Sequence, residues 1–320
     1  MKWPSIDVVI PVRNCESQLR GCLDRIRAQS YPGVLRTIVV DGGSSDSTVE
    51  VAIEFGAETY VNPGQYSAGL LGARRFGELR STADLLWLLD SDNVVVEDDA
   101  AKRLAVPLVE RSDLQLSVPM VQPDPESNRF SNWLALQEST LLERMARQGA
   151  DCGAYFLVEE FTHGISNATL IRRDALERVG GYDADFLVLR RLRSVGLARG
   201  AVVPTAHIIH NQARGALDFR RKWIRRMKYY ASMPPKMRRD YFVAHDYGTD
   251  LKDPYSRGVT FGTVVTPFNA IRGFIRSSDA TWLCGLAYPL VVASIGLTQP
   301  SAVRRAMTVF TGGSRIKSVD

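Results

Sequence analysis

Residues 84–92 read Asp-Leu-Leu-Trp-Leu-Leu-Asp-Ser-Asp (DLLWLLDSD), and the change of character inside that stretch decides the architecture. Leu85 to Leu89 form an unbroken apolar run with no polar alternation. Such a run suits a strand covered on both faces, as in a parallel sheet. It halts on Asp90-Ser91-Asp92. Two carboxylates one residue apart at a strand end can hold a hard dication through oxygen, leaving other positions for phosphate oxygens. An Asp-x-Asp pair is common in surface loops, so its place after a buried strand gives it meaning.

Outward from this stretch the same grammar repeats. Residues 6–12 (IDVVIPV) form another buried strand, and Asn14 is placed to cap a helix with Leu19, Cys22, Leu23 and Ile26 on one face. Tyr31-Pro32-Gly33 ends that helix. A second strand over 36–40 (RTIVV) stops at Asp41-Gly42-Gly43-Ser44-Ser45-Asp46. A helix with Val49, Ala52 and Ile53 inward follows, closed at Gly56, then a strand over 58–61 and a helix over 68–80. Strands alternating with helices imply a parallel sheet with right-handed crossovers. Ligands bind such sheets beyond the carboxyl ends of the strands, so Asp41 and Asp90 are expected at one crevice. Further on, the pattern predicts a strand over 114–118, a helix over 132–148 with Leu134, Leu141, Leu142 and Met145 inward, a short helix over 174–179 and a strand over 201–209.

Composition narrows the class. With 45% hydrophobic and 23% charged residues over 320 positions, the chain can bury a sizeable core and is not of disordered type. Four scattered cysteines without a CxxC pair fit a reducing compartment, and the strand pattern begins with no leader visible before it. The expected location is therefore cytoplasmic. Residues 1–110 carry 11 Lys/Arg against 16 Asp/Glu, whereas residues 212–276 carry 14 against 5. The acidic front suits a metal, and the basic rear suits an anionic partner or is simply a solvated face. No helix-turn-helix, finger or interleaved aromatic motif accompanies the basic stretch, which speaks against nucleic acid.

Four ordered segments carry a family resemblance: IDVVIPVRN (6–14), IVVDGGSSDST (38–48), LLWLLDSDN (85–93) and SNATLIRRDALERVGGYDADF (166–186). Together, over roughly residues 5–215, they resemble the family 2 glycosyltransferases of GT-A fold. The resemblance implies an α/β, Rossmann-like, mostly parallel sheet flanked by helices. It divides the chain into a catalytic domain over 1–215, with the donor site in 1–120 and the acceptor side in 121–215, and a basic, partly apolar helical extension over 216–320. It also implies a nucleoside-diphosphate sugar of UDP or GDP type, and Mg²⁺ or Mn²⁺. Carried over by position, Pro11 lines the base pocket, Asp41 accepts a hydrogen bond from the nucleobase, Asp90 contacts the ribose, and Asp92, with Asp90, holds the metal. The alternative for Asp41 is a helix-capping turn residue, a part that Asp46 could equally play. Arg74 falls in the family's Ala-Arg-Asn run, where its planar fork can pair with the diphosphate or simply lie on a helix surface; Arg75 replaces the usual Asn. His210 follows an apolar strand, as a histidine does in many relatives, and reaches the metal or plays a structural part.

One departure from the family bears on the chemistry. After Gly-Gly-Tyr-Asp, relatives present an acidic pair that deprotonates a hydroxyl acceptor, and here Leu187-Val188-Leu189-Arg190 stands in its place. Asp185 is the replacement base adopted, with Asp183, Glu159 and Glu160 as further options. An acceptor that is already anionic, such as a polyprenyl phosphate or another lipid-linked species, needs no base. Residues 281–297 (TWLCGLAYPLVVASIGL) hold no charge and are short of the roughly 20 apolar residues of a span. They read as an interfacial element with Trp282 and Tyr288 at a membrane surface, or as an ordinary buried helix. The resulting expectation is a metal-dependent, inverting glycosyltransferase peripheral on the inner face of the cell membrane. The alternative is a non-catalytic nucleotide-sugar-binding scaffold or regulator that has lost its base. A phosphatase reading of LLDSD lacks the later acidic and lysine motifs, and a nucleotidyltransferase lacks a Gly-rich, Lys-bearing triphosphate loop.

Overall fold

The computed structural model describes residues 2–63, 70–161, 168–182, 185–232 and 259–286, together with Tyr288, Leu290, Val291 and Ser294. The chain divides into one unit of residues 1–124 and 135–211 and a second of residues 125–134 and 212–320.

The first unit is built on a ten-stranded sheet of order β3-β2-β1-β4-β9-β6-β10-β8-β7, with β5 paired to β10. Strands β1 (Ile6–Val12), β2 (Leu35–Asp41), β3 (Glu58–Val61) and β4 (Leu85–Leu88) are mutually parallel. The sheet becomes mixed beyond them. Strand β9 (Thr169–Arg172) is antiparallel to both β4 and β6 (Leu116–Gln122), while β10 (Gly200–His210) runs parallel to β6. The short strands β5 (Asn93–Val95) and β8 (Phe156–Val158) lie antiparallel to β10, and β7 (Ala150–Asp151) pairs β8. Every residue of β1 and of β4 is buried, as strands covered on both faces require, and in β1 this includes one charged residue, Asp7. Pro11 is tolerated inside β1 because β4 pairs only as far as Val9, so the missing N–H falls where the ladder on that side has ended.

Helix α1 (Glu16–Arg27) buries Leu19, Cys22, Leu23 and Ile26 as its spacing predicts, with Glu16 in the first turn and Arg25 and Arg27 in the last, matching the helix dipole. Its start differs from expectation. Asn14 adopts φ 49° and accepts from Ser45 N at 2.8 Å, while the first N–H groups of the helix donate to Thr48 Oγ1 and Asp46 Oδ2 of the neighbouring loop. In α2 (Thr48–Glu54) the buried residues are Thr48, Val51 and Ala52, and Ile53 is 63% exposed. Each residue step turns a helix by about 100°, so packing through Thr48, Val51 and Ala52 swings Ile53 outward. Helices α3 (Leu70–Arg80), α4 (Ala100–Glu110), α5 (Arg129–Gln148), α6 (Arg173–Arg178) and α7 (Asp185–Ser194) follow. In α5, Leu142 and Met145 are buried and Leu134 and Leu141 half-buried.

The second unit contains α8 (Ala216–Ser232), α9 (Val259–Ser277) and a 3-10 helix over Ala280–Leu286. Its core is aromatic: Phe130 meets Phe219 at 5.3 Å and Trp133 meets Tyr288 at 5.3 Å between ring centroids. Gly273 is required because a Cβ there would lie 2.1 Å from the Trp282 ring. Trp282 and Tyr288, both half-buried, pack against this cluster, the arrangement an ordinary buried helix would give. Among the described residues of this unit, the exposed large apolar side chains are Leu217, Phe268, Ile271, Phe274, Ile275, Leu283, Leu286 and Leu290. Of the 281–297 segment, residues 287, 289, 292, 293 and 295–297 lie outside the described residues.

Candidate functional site

Because β2, β1 and β4 run parallel side by side, the loops that leave their carboxyl ends share one rim of the sheet. Asp41 ends β2 and is 3% exposed. Its carboxylate accepts from Gly43 N at 3.0 Å, from Ser44 N at 3.0 Å and from Ser44 Oγ at 2.5 Å. Ser44 Oγ in turn accepts from Asn14 N at 2.9 Å, and Gly42 N donates to Val12 O at 2.8 Å. The side chains of the DGGSSDST segment thus knit the loop after β2 to the loop after β1. This is the turn-capping arrangement open to Asp41 from its sequence context.

The second acidic turn is closed on itself. Asn93 N donates to Asp90 O at 3.0 Å, and Asp90 N donates to Asn93 Oδ1 at 3.1 Å. Asn93, fully buried, then opens β5, and the antiparallel pairing of β5 with β10 places it directly opposite His210. Asn211 N completes the link with a bond to Asp92 O at 3.1 Å. The result is a cluster of Asp90, Asp92 and His210 whose ligand atoms all lie within 4.8 Å of one another. The imidazole is almost wholly buried, with Nε2 3.7 Å from Asp92 Oδ1 and Nδ1 2.9 Å from Glu138 Oε2. Burial works against the charged ring, but Glu138, Asp92 and Asp90 outweigh it, and the histidine is pushed up from 6.5 to about 9. Three acids around one imidazole create a strong demand for positive charge. Two carboxylates with one imidazole nitrogen form a donor set suited to Mg²⁺ or Mn²⁺.

Arg74 lies behind the turn, not on the surface. It is fully buried; Nη2 donates to Asp90 Oδ1 at 2.6 Å and Nη1 to Tyr182 Oη at 2.7 Å. Arg75 pairs with Glu78 at 2.8 Å, and Glu78 Oε2 accepts from Tyr182 N at 2.6 Å. A Cβ on Gly181, whose φ is +83°, would lie 1.3 Å from Arg75 Nη1. The Gly180-Gly181-Tyr182 turn and the Asp90 turn are therefore joined through one face of α3, which gives Arg75 its role. Both residues of the Arg74-Arg75 pair act inside the protein, holding Asp90 and the tyrosine.

Among the alternative bases, Glu159 pairs with Arg199 at 2.7 Å, and Glu160 pairs with Arg193. Both are held away as surface ion pairs. Asp185 opens α7, where its side chain, like all of Asp183, lies outside the described residues. Glu138, Asn93 and Tyr182 were not singled out from the sequence. Glu138 does leave a trace: it falls on the inward stripe of α5 with Ala135, Leu142 and Met145, where an apolar residue is expected.

Comparison with known proteins identifies the family and the fold. The chain is 32% identical over 143 residues to an N-acetylglucosaminyltransferase of Rhizobium sp. (strain N33), a match covering 41% of this chain and 29% of that protein. It is 31% identical over 108 residues to a PGL/p-HBAD biosynthesis glycosyltransferase of Mycobacterium tuberculosis (strain ATCC 25177 / H37Ra), covering 33% of this chain and 42% of that one. The chain thus spans less than half the length of these curated relatives. Among solved structures, the mannosyltransferase PcManGT from Pyrobaculum calidifontis in complex with GDP-Man and Mn²⁺ superposes with a TM-score of 0.56 at 15% identity, over 93% of this chain and 88% of that one, which establishes a shared fold. Residues 7–180 match the family described as Glycosyl transferase family 2, and with the rim of acidic turns at the ends of parallel strands, the chain belongs to that family.

Proposed function

We propose that this protein transfers a sugar from a nucleoside diphosphate sugar of UDP or GDP type, with a divalent cation held by Asp92, Asp90 and His210. The observation that carries the reading is the convergence of those three side chains at the rim where parallel sheets bind ligands. Bound there, Mg²⁺ or Mn²⁺ supplies charge to offset what builds on the departing diphosphate. The chain's own residues set the stage. Arg74 fixes the Asp90 carboxylate, the Asn93 clamp fixes the turn, and Pro11 and Asp41 border the nucleotide end of the same rim. The transfer is inverting, by direct displacement at the anomeric carbon.

The acceptor is anionic and lipid-linked in this reading. Glu159 and Glu160 are engaged with arginines, which leaves Asp185 and Asp183 as candidate bases for a hydroxyl acceptor, whereas a phosphate acceptor dispenses with a base. On α9, Phe268, Ile271, Phe274 and Ile275 fall within about 120° of arc, with Arg272 and Arg276 alongside. Apolar residues flanked by cations suit an anionic bilayer surface, and no helix among the described residues is long and apolar enough to cross one. The enzyme then works peripherally on a membrane's inner face.

Titrating UDP and GDP sugars with and without Mn²⁺, alongside a transfer assay, tests the donor reading. Tight, Mn²⁺-enhanced binding with turnover is expected; binding with no transfer to any acceptor class would instead make the protein a scaffold. For the membrane, co-flotation with phosphatidylserine-containing vesicles is expected for the wild-type chain and is expected to fall several-fold in Ile275→Glu. Equal flotation of both would dismiss this face.

A further inference from the structure

Glu138 lies outside the four sequence segments that carry the family resemblance, yet among the described residues it is the acid nearest the buried imidazole. It projects from α5 at the one position of the inward stripe Ala135, Glu138, Leu142, Met145 that is not apolar. A carboxylate placed on such a stripe loses hydration and persists only when paired. Its pairing is specific: Glu138 Oε2 lies 2.9 Å from His210 Nδ1, with the side chain 30% exposed. An ionised carboxylate only accepts, so Nδ1 carries the hydrogen and donates it. Nε2, the nitrogen 3.7 Å from Asp92 Oδ1, is then the one that can exchange its proton for a cation. His210 is also pinned through its backbone, since β5 holds it opposite Asn93.

We propose that Glu138 is a positioning residue for cation binding: it fixes the orientation and tautomer of His210 so that Nε2 is presented to the site formed with Asp90 and Asp92. The proposal rests on the metal-site reading above and adds a residue to it. Partners that orient a ligating histidine in this way contribute about 10- to 100-fold to metal affinity.

The test is Mn²⁺ affinity of the full chain without nucleotide, followed by the EPR signal of free Mn²⁺. Glu138→Ala is expected to weaken binding by about 10- to 100-fold, and Glu138→Gln, which still accepts from Nδ1, by clearly less. Far-ultraviolet circular dichroism and thermal melts confine the comparison to folded protein, and the Gln variant, being isosteric, serves if the Ala variant does not fold. The decisive arm is a double-mutant cycle: in a His210→Ala background, removal of Glu138 is expected to change Mn²⁺ affinity no further. If Glu138→Ala binds Mn²⁺ like the wild type while His210→Ala does not, or if the two substitutions are simply additive, Glu138 does not act through the histidine and the inference falls. If Asp92→Ala and His210→Ala both bind like the wild type, the metal site itself is misassigned.

Discussion

Asp7, near the start of β1, and Asp90 with Asp92, beyond the end of β4, are buried or half-buried acids at opposite ends of the same parallel strands, and they sit in opposite kinds of company. Asp7 is 2% exposed and faces donors. Arg36 grips it with two bonds of 2.8 and 2.7 Å, and Ser81 Oγ, Thr82 N and Ala83 N add three more. Burial alone would raise it, but these donors prevail and hold the carboxyl below its ordinary 3.8. Asp90 has one arginine, Arg74, at 2.6 Å, but it and Asp92 also share their space with each other and with a histidine backed by Glu138. At one end of the sheet a single carboxylate is held by many donors; at the other, several acids gather around one imidazole. The contrast in their surroundings is what sets the proposed site apart from a purely structural carboxylate.

The largest expected effect lies at the functional end. Asp92→Ala should lower turnover by about a hundredfold or more, the scale on which a metal's charge stabilisation counts, with an unchanged melting temperature. Unchanged Mn²⁺ affinity and turnover would remove Asp92 from the metal role and dissolve the contrast.

At the structural end the effect should appear in stability. Asp7→Asn should lower the folding free energy by about 3 kcal/mol, at the low end for a broken buried pair because Arg36 retains Glu58 and some contact with water. The sign follows from the lowered carboxyl. Its stabilisation is complete above the unfolded value near 3.8 and is lost as pH falls through the folded value, so the gap between wild type and variant in urea midpoints should close below about pH 4. A gap that widens with acid would mean the pair contributes in some other way.

The smallest expected effect tests the link between the two turns. Arg74→Lys keeps the charge but cannot reach both Asp90 and Tyr182, and should weaken Mn²⁺ binding by about tenfold while leaving nucleotide preference alone. If Tyr182→Phe matches the wild type while Arg74→Lys does not, the tyrosine is a bystander to Asp90.

Much of this was legible before any coordinates. The apolar runs of β1 and β4 announce central strands, because only a strand covered on both faces does without alternation. The inward face of α1 follows from 3.6-residue spacing. Ile53 was misplaced because a seven-residue helix leaves the phase of its inward face to its neighbours, and the uncharged run by itself left open which of its aromatics turns inward.

Sequence by itself determined the strand-and-helix alternation, and with it the rim on which Asp41 and Asp90 stand, since the parallel crossover has one favoured hand and ligand crevices form where strands end. Tertiary structure alone decided which side chains meet. Strand β5 folds back against β10, bringing His210 to Asp92 over 118 positions of chain, and α5 lays Glu138 behind it. Antiparallel register and helix docking are set by packing against distant residues, whereas periodicity records only what each segment does with its own neighbours.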